Sequence, residues 1–147
     1  LALISVGSIG VTNIPEVRTA EDIDPAATVE AIQSSPDIIK GVKVRMVSPG
    51  ITALGIGLPR AGKAIAREAG VPIMVHVGDI YGQDPAAAEI TPELLTSVLT
   101  AGDIVTHTLS GQVGALLADG SLLSQAQEAR ANGVYFDVDV GGSNIFF

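Results

Sequence analysis

Short, continuous apolar runs alternate with helical stretches along this chain, with a repeat of about thirty residues. Leu1–Val6, Val42–Val47, Ile73–Val77, Asp103–His107 and Val134–Val140 read as strands. Runs that lack polar alternation belong to strands covered on both faces. Between the first two, Asp24-Pro25 signals a helix running to about Ser34. The aspartate accepts from first-turn amides that have no intrahelical partner, and proline tolerates the first helical position. A second helix spans about Leu58 to Ala69 and is stopped by Gly70 and Pro72. Thr91-Pro92-Glu93 repeats the cap-and-proline start for a third helix ending near Ala101-Gly102, and a fourth spans about Ser121 to Asn132, with Gly133 as its stop. Five strands separated by four helices, with no hairpin signal between them, predict repeated βα units and a parallel sheet with right-handed crossovers. The fold class is α/β in one domain over residues 1–147, either an open doubly wound sheet or a partial (β/α)8 TIM barrel. Periodicity does not separate the two.

Three polar residues interrupt this pattern at the downstream ends of successive strands. They are Lys43 in VKVRM, His76 in PIMVHVGD and His107 in DIVTHTLSG. In parallel α/β folds those ends line the mouth of the active site. A strand-end histidine is by itself more often a hydrogen-bonded core residue than a ligand, but these are the chain's two histidines, and they occupy equivalent places one βα unit apart. Two imidazoles on neighbouring strands reach one ion, and neutral imidazole is a common zinc ligand. Lys43 shares a strand face with Arg45, so an inward Lys–Arg pair neutralised by carboxylates such as Asp79 is the plain alternative. An ammonium does not bind a metal, and a ligand role needs a deprotonated or covalently altered lysine. Asp79 either orients a substrate or begins a loop, and Ser110 lies in the polar turn after His107.

Composition narrows the function classes. Eight basic against sixteen acidic side chains give a formal charge of −8, which repels nucleic-acid backbones and anionic lipid surfaces. The absence of cysteine excludes disulfides, thiolate nucleophiles and cysteine zinc sites, and fits a cytoplasmic protein. No apolar stretch approaches the ~20 residues that span a bilayer, and LALISVG lacks the basic flank of a signal peptide. The start on an apolar run without Met reads as though a longer protein had been entered partway through.

The stretches GVKVRM, VPIMVHVGD, GDIVTHTLSG and ARANGVYFDVDVGG together resemble the amidohydrolase superfamily, in particular the dihydroorotase-like amidohydrolase/deacetylase metallohydrolases. The resemblance covers nearly all of the chain and implies the central portion of a TIM barrel. It also implies that Lys43 is carboxylated by carbon dioxide to a metal-bridging carbamate and that His76 and His107 bind a divalent metal, usually zinc; Asp79 and Ser110, by their places after the two histidines, are the candidates for substrate binding. The implied activity is hydrolysis of amide or ester bonds in small N-acyl or O-acyl compounds, as in deacetylases and esterases. The family's His-x-His pair falls before Leu1 and its late aspartate after Phe147, and the family's DVGHG reads Asp137-Val138-Asp139-Val140-Gly141 here, with Val140 in the histidine's place. The expectation is therefore weak or absent activity for these residues alone.

Gly57-Leu58-Pro59-Arg60-Ala61-Gly62-Lys63-Ala64 is one substitution from a phosphate-binding loop, but Ala64 lacks the Mg²⁺-binding hydroxyl and Pro59 lacks an amide. After Gly55-Ile56-Gly57 the third glycine of a dinucleotide fingerprint is Arg60. A non-catalytic small-molecule-binding domain stays open. So does a self-associating fragment, because open barrel edges favour pairing into a homo-oligomer.

Overall fold

The computed structural model of the chain describes residues 1–10, 16–118 and 120–139. Strands β1 (Ala2–Ser5), β2 (Ile39–Arg45), β3 (Ile73–His76), β4 (Ile104–Thr106) and β7 (Tyr135–Asp137) form one sheet in the order β1-β2-β3-β4-β7. Every neighbouring pair in it is parallel. The order follows the chain without reversal, as expected for consecutive βα units wound in one direction.

Helix α1 (Pro25–Ser34) begins as its sequence directs, with the Asp24 side chain accepting from the Ala27 N–H at 3.0 Å and Pro25 in the first turn. A short helix α2 (Gly50–Leu54) precedes α3 (Gly57–Ala69), which ends on Gly70 at φ 71°. The third helix departs from expectation. Helix α4 spans Ala86–Glu93, so Pro92 lies inside it and Thr91 caps nothing. The start signal is instead Asp84-Pro85, whose aspartate accepts from the Ala86 N–H at 2.9 Å. Thr91 is fully buried and donates its hydroxyl to the carbonyls of Ala87 and Gly114. After Pro92, which has no N–H to give, the helix widens into a π turn over Leu94–Val98.

A second departure is a small antiparallel pair, β5 (Leu117–Ala118) with β6 (Ser121–Leu122), ahead of helix α5 (Ser124–Ala131). Asp-Gly between the two strands is a favoured hairpin dipeptide, so the expectation of no hairpin signal fails at this place.

The two faces of the main sheet differ. Val42, Val44, Ile73, Val75 and Val105 point to the helical layer and are fully buried. The fit is close enough that a Cβ at Gly62 of α3 would lie 2.3 Å from Val44 Cγ2. The opposite face, set by strand alternation and register, carries Leu3, Ser5, Lys43, Met74 and Ile104, all half-buried, and Tyr135, which is exposed. Lys43 therefore stands on the face that becomes the interior when such a sheet closes into a barrel. No helix among the described residues is long and apolar enough to cross a membrane.

Candidate metal centre

Lys43, Arg45 and His76 share the inner face, because β2 and β3 pair Lys43 with Met74 and Arg45 with His76. Thr106 stands opposite His76 in the next strand, and His107 is the first residue beyond it. His107 holds φ at 63°, a left-handed conformation uncommon for a side-chain-bearing residue, and this turns its ring back over the strand ends. The two imidazoles meet there with ring centroids 4.2 Å apart and planes inclined at 52°.

Backbone carbonyls fix both tautomers. His76 Nε2–H donates to Gly78 O at 3.0 Å, and His107 Nδ1–H donates to Asp139 O at 3.2 Å. His76 Nδ1 and His107 Nε2 thereby keep their lone pairs, the usual arrangement of metal-binding histidines. Burial, with the nearby His107 and Lys43, pushes His76 down to about 3, so its ring is neutral across the physiological range. Burial and Lys43 also lower His107. Burial brings the Lys43 ammonium down to about 8 against the opposing pull of Asp139 and Asp137, which leaves an appreciable neutral amine fraction near neutral pH. Two imidazole nitrogens that carry lone pairs and a readily deprotonated lysine are a donor set that fits a divalent ion. Among the described residues no three His, Cys, Asp or Glu side chains form a metal cluster by themselves, so a third ligand has to come from Lys43 or from outside those residues.

The carboxylate beside Arg45 is not Asp79. Arg45 donates through Nε and Nη2 to Glu16 Oε2 at 2.7 and 2.6 Å, and its Nη1 lies 3.3 Å from the Tyr81 hydroxyl. Asp79 is fully buried and turns inward on its own loop. It accepts from the backbone N–H groups of Ser48, Tyr81, Gly82 and Asp84 at 3.0, 3.1, 3.2 and 2.9 Å, and from the Ser48 hydroxyl. Burial alone raises a carboxyl, but these hydrogen bonds outweigh it and hold Asp79 at about 2. Ser110 is also fully buried, and its Oγ accepts from the Gln112 N–H at 3.2 Å. Gly78 sits at φ 94° with space for a Cβ only 2.8 Å from that Oγ, so its missing side chain makes room for Ser110. Asp137 accepts from the Thr106 hydroxyl at 2.7 Å, and the exposed Asp139 carboxylate lies 3.7 Å from His107 Nε2. Val140 and Gly141 lie outside the described residues.

The phosphate-loop resemblance dissolves in the fold. Gly57 to Ala64 is helical, and Lys63 reaches across to Thr100 Oγ1 at 2.8 Å and to Asp103. Glu16 carries no signal in the sequence, since nothing local pairs a residue of the β1–α1 connection with one 29 positions later.

Two curated relatives, each named deacetylase, come from Brucella anthropi and Agrobacterium fabrum, and each is 32% identical to this chain over 150 residues. A solved dihydroorotase superposes with a TM-score of 0.81 at 32% identity, covering 98% of this chain and 44% of that one. This chain belongs to the amidohydrolase superfamily. An adenine deaminase structure matches with a TM-score of 0.84 at 26% identity, covering 98% of this chain and 38% of its own. The five parallel strands are thus an arc of an amidohydrolase TIM barrel. The chain spans about a third of the length of the curated relatives it matches, 99% of it against 35% of each. No family model matches the chain.

Proposed function

We propose that this chain carries part of the metal centre of a hydrolase that cleaves acyl groups from small amides or esters, of the deacetylase type. The observation that carries the reading is the pair of imidazoles at 4.2 Å, each oriented by a backbone carbonyl through one nitrogen, which leaves the ring lone pair on the other. The names of the curated relatives point to deacylation, and the amidohydrolase fold agrees with it.

In this reading His76 Nδ1, His107 Nε2 and Lys43 hold a divalent ion, with zinc suited to two imidazoles. The neutral Lys43 amine adds to carbon dioxide and releases a proton, giving a carbamate that offers oxygen donors where an ammonium offers none. A metal held there would lower the pKa of a water toward 7 and polarise the acyl carbonyl. The chain's own groups set the stage for that chemistry. Gly78 O and Asp139 O lock the imidazole tautomers, and the αL turn at His107 aims its ring. Asp79 and Ser110 shape the substrate side through the loops they hold, and Asp79 thereby fixes Tyr81 on the rim.

Hydrolysis of a panel of N-acyl and O-acyl compounds by the zinc- and bicarbonate-loaded protein tests the reading. Turnover that collapses in both Lys43→Ala and His76→Ala is expected. Turnover that survives both substitutions would place the chemistry elsewhere. A ¹³C resonance of carbamate after addition of labelled bicarbonate, absent in Lys43→Ala, is expected as well, and a zinc titration separates this reading from a metal-free binding domain.

A further inference from the structure

Glu16 is a buried charged group that the reaction above does not use. It is 1% exposed, Arg45 donates twice to its Oε2, and its Oε1 has no hydrogen-bond partner among the described residues. Buried carboxylate oxygens are nearly always satisfied, so an idle one marks a place for a donor beyond the described residues. That place adjoins the candidate metal centre. Arg45 is two residues beyond Lys43 on the same face and in register with His76, and the charge of Glu16 is felt at the Lys43 nitrogen.

The sign of the fitting donor follows from the surroundings. Arg45 and Glu16 are neutral as a unit, whereas Asp139, on the other side of the imidazole pair, is 3.7 Å from a neutral ring and has no Lys or Arg ion-pair partner among the described residues. Its charge also reaches Lys43. The Asp137 and Asp139 carboxylates outnumber the Lys43 ammonium they face, and that net negative charge, together with an unfilled buried acceptor, suits a cationic donor better than a neutral one.

We infer that the site takes an acylated amine bearing a second, protonated amino group, whose N–H donates to Glu16 Oε1 while the acyl end lies at the imidazole pair. The inference rests on the acyl-hydrolase reading for the position of the acyl end.

Binding to the metal-free protein tests it without turnover, using N-acetyl-1,4-diaminobutane and its neutral counterpart N-butylacetamide in calorimetry. The amine should bind about tenfold tighter, as a charge-assisted hydrogen bond provides. Glu16→Gln, whose amide oxygen still accepts from Arg45, should erase most of that preference and leave N-butylacetamide unchanged. Asp139→Asn should erase a smaller part. Equal affinity of the two compounds in the unaltered protein overturns the inference whatever the variants do, which covers a Glu16→Gln chain that fails to fold. A preference that persists in Glu16→Gln overturns it too, as does an ordered water alone on Oε1 in crystals saturated with the amine. Zinc bound at the imidazoles without any amine preference would sink this inference and spare the hydrolase reading.

Discussion

Removing Arg45 isolates the ion pair behind the site. Its guanidinium makes two contacts of 2.7 and 2.6 Å to one oxygen of Glu16, whose side chain is 2% exposed. Arg45→Ala leaves that carboxylate buried with neither oxygen paired, a change that typically costs about 3–5 kcal/mol. At roughly 4 °C per kcal/mol for a chain of this length, the melting temperature should fall by about 12–20 °C. The same principle fixes the control. Replacing both partners by apolar residues, as Arg45→Met with Glu16→Leu, removes the charges together and should come within about 1 kcal/mol of the unaltered protein. Urea denaturation with the m-value monitored distinguishes lost stability from a changed denatured state. A loss below about 1 kcal/mol for Arg45→Ala alone would mean that water reaches Glu16, and the buried, unsatisfied oxygen invoked above would not exist.

Asp79→Asn removes the charge on which four backbone amides converge, and with its carboxyl held at about 2 against an ordinary 3.8 the loss at pH 7 should be about 2–3 kcal/mol. A depressed carboxyl stabilises above its unfolded value and loses that contribution as pH falls through the folded one. The gap between the two proteins should therefore close between about pH 4 and pH 2, and a pH-independent gap in urea midpoints would contradict the cause assigned here. Gly62→Ala forces a Cβ to within 2.3 Å of Val44 Cγ2 and 3.1 Å of Ile73 Cδ1, and should cost about 1–3 kcal/mol, partly recovered by Val44→Ala. No loss of thermal stability in Gly62→Ala would show that α3 rides farther from the sheet.

The sheet was legible because each strand is a short apolar run and each chain reversal carries a helix, so strand number, direction and order follow from local pattern. The first two expected helices were legible for the same reason, through Asp24-Pro25 and through Gly70. Thr91-Pro92 misled because the same dipeptide signature fits a helix start and a proline tolerated within a helix, and buried acceptors at Ala87 and Gly114 decided between them. The β5–β6 hairpin carried its Asp-Gly signal, but strands of two residues have no periodicity to read. At the site, position along the strands brought Lys43, His76 and His107 to one end of the sheet. Which carboxylate answers Arg45 was not readable, since Glu16 reaches it from a connection whose path depends on tertiary packing. The inward turn of Asp79 was hidden likewise, because an aspartate opening a loop looks the same whether it faces a ligand or the loop's own amides.

The central claim is that the two imidazoles bind one divalent ion through stated nitrogens. With two histidines in the chain, long-range ¹H–¹⁵N NMR of the imidazole rings during a zinc titration reads both directly. The account predicts that His76 Nδ1 and His107 Nε2 shift together to metal-bound values at one equivalent of zinc, while His76 Nε2 and His107 Nδ1 remain protonated. Zinc that leaves both rings unshifted, or that binds through His76 Nε2 or His107 Nδ1, would contradict it.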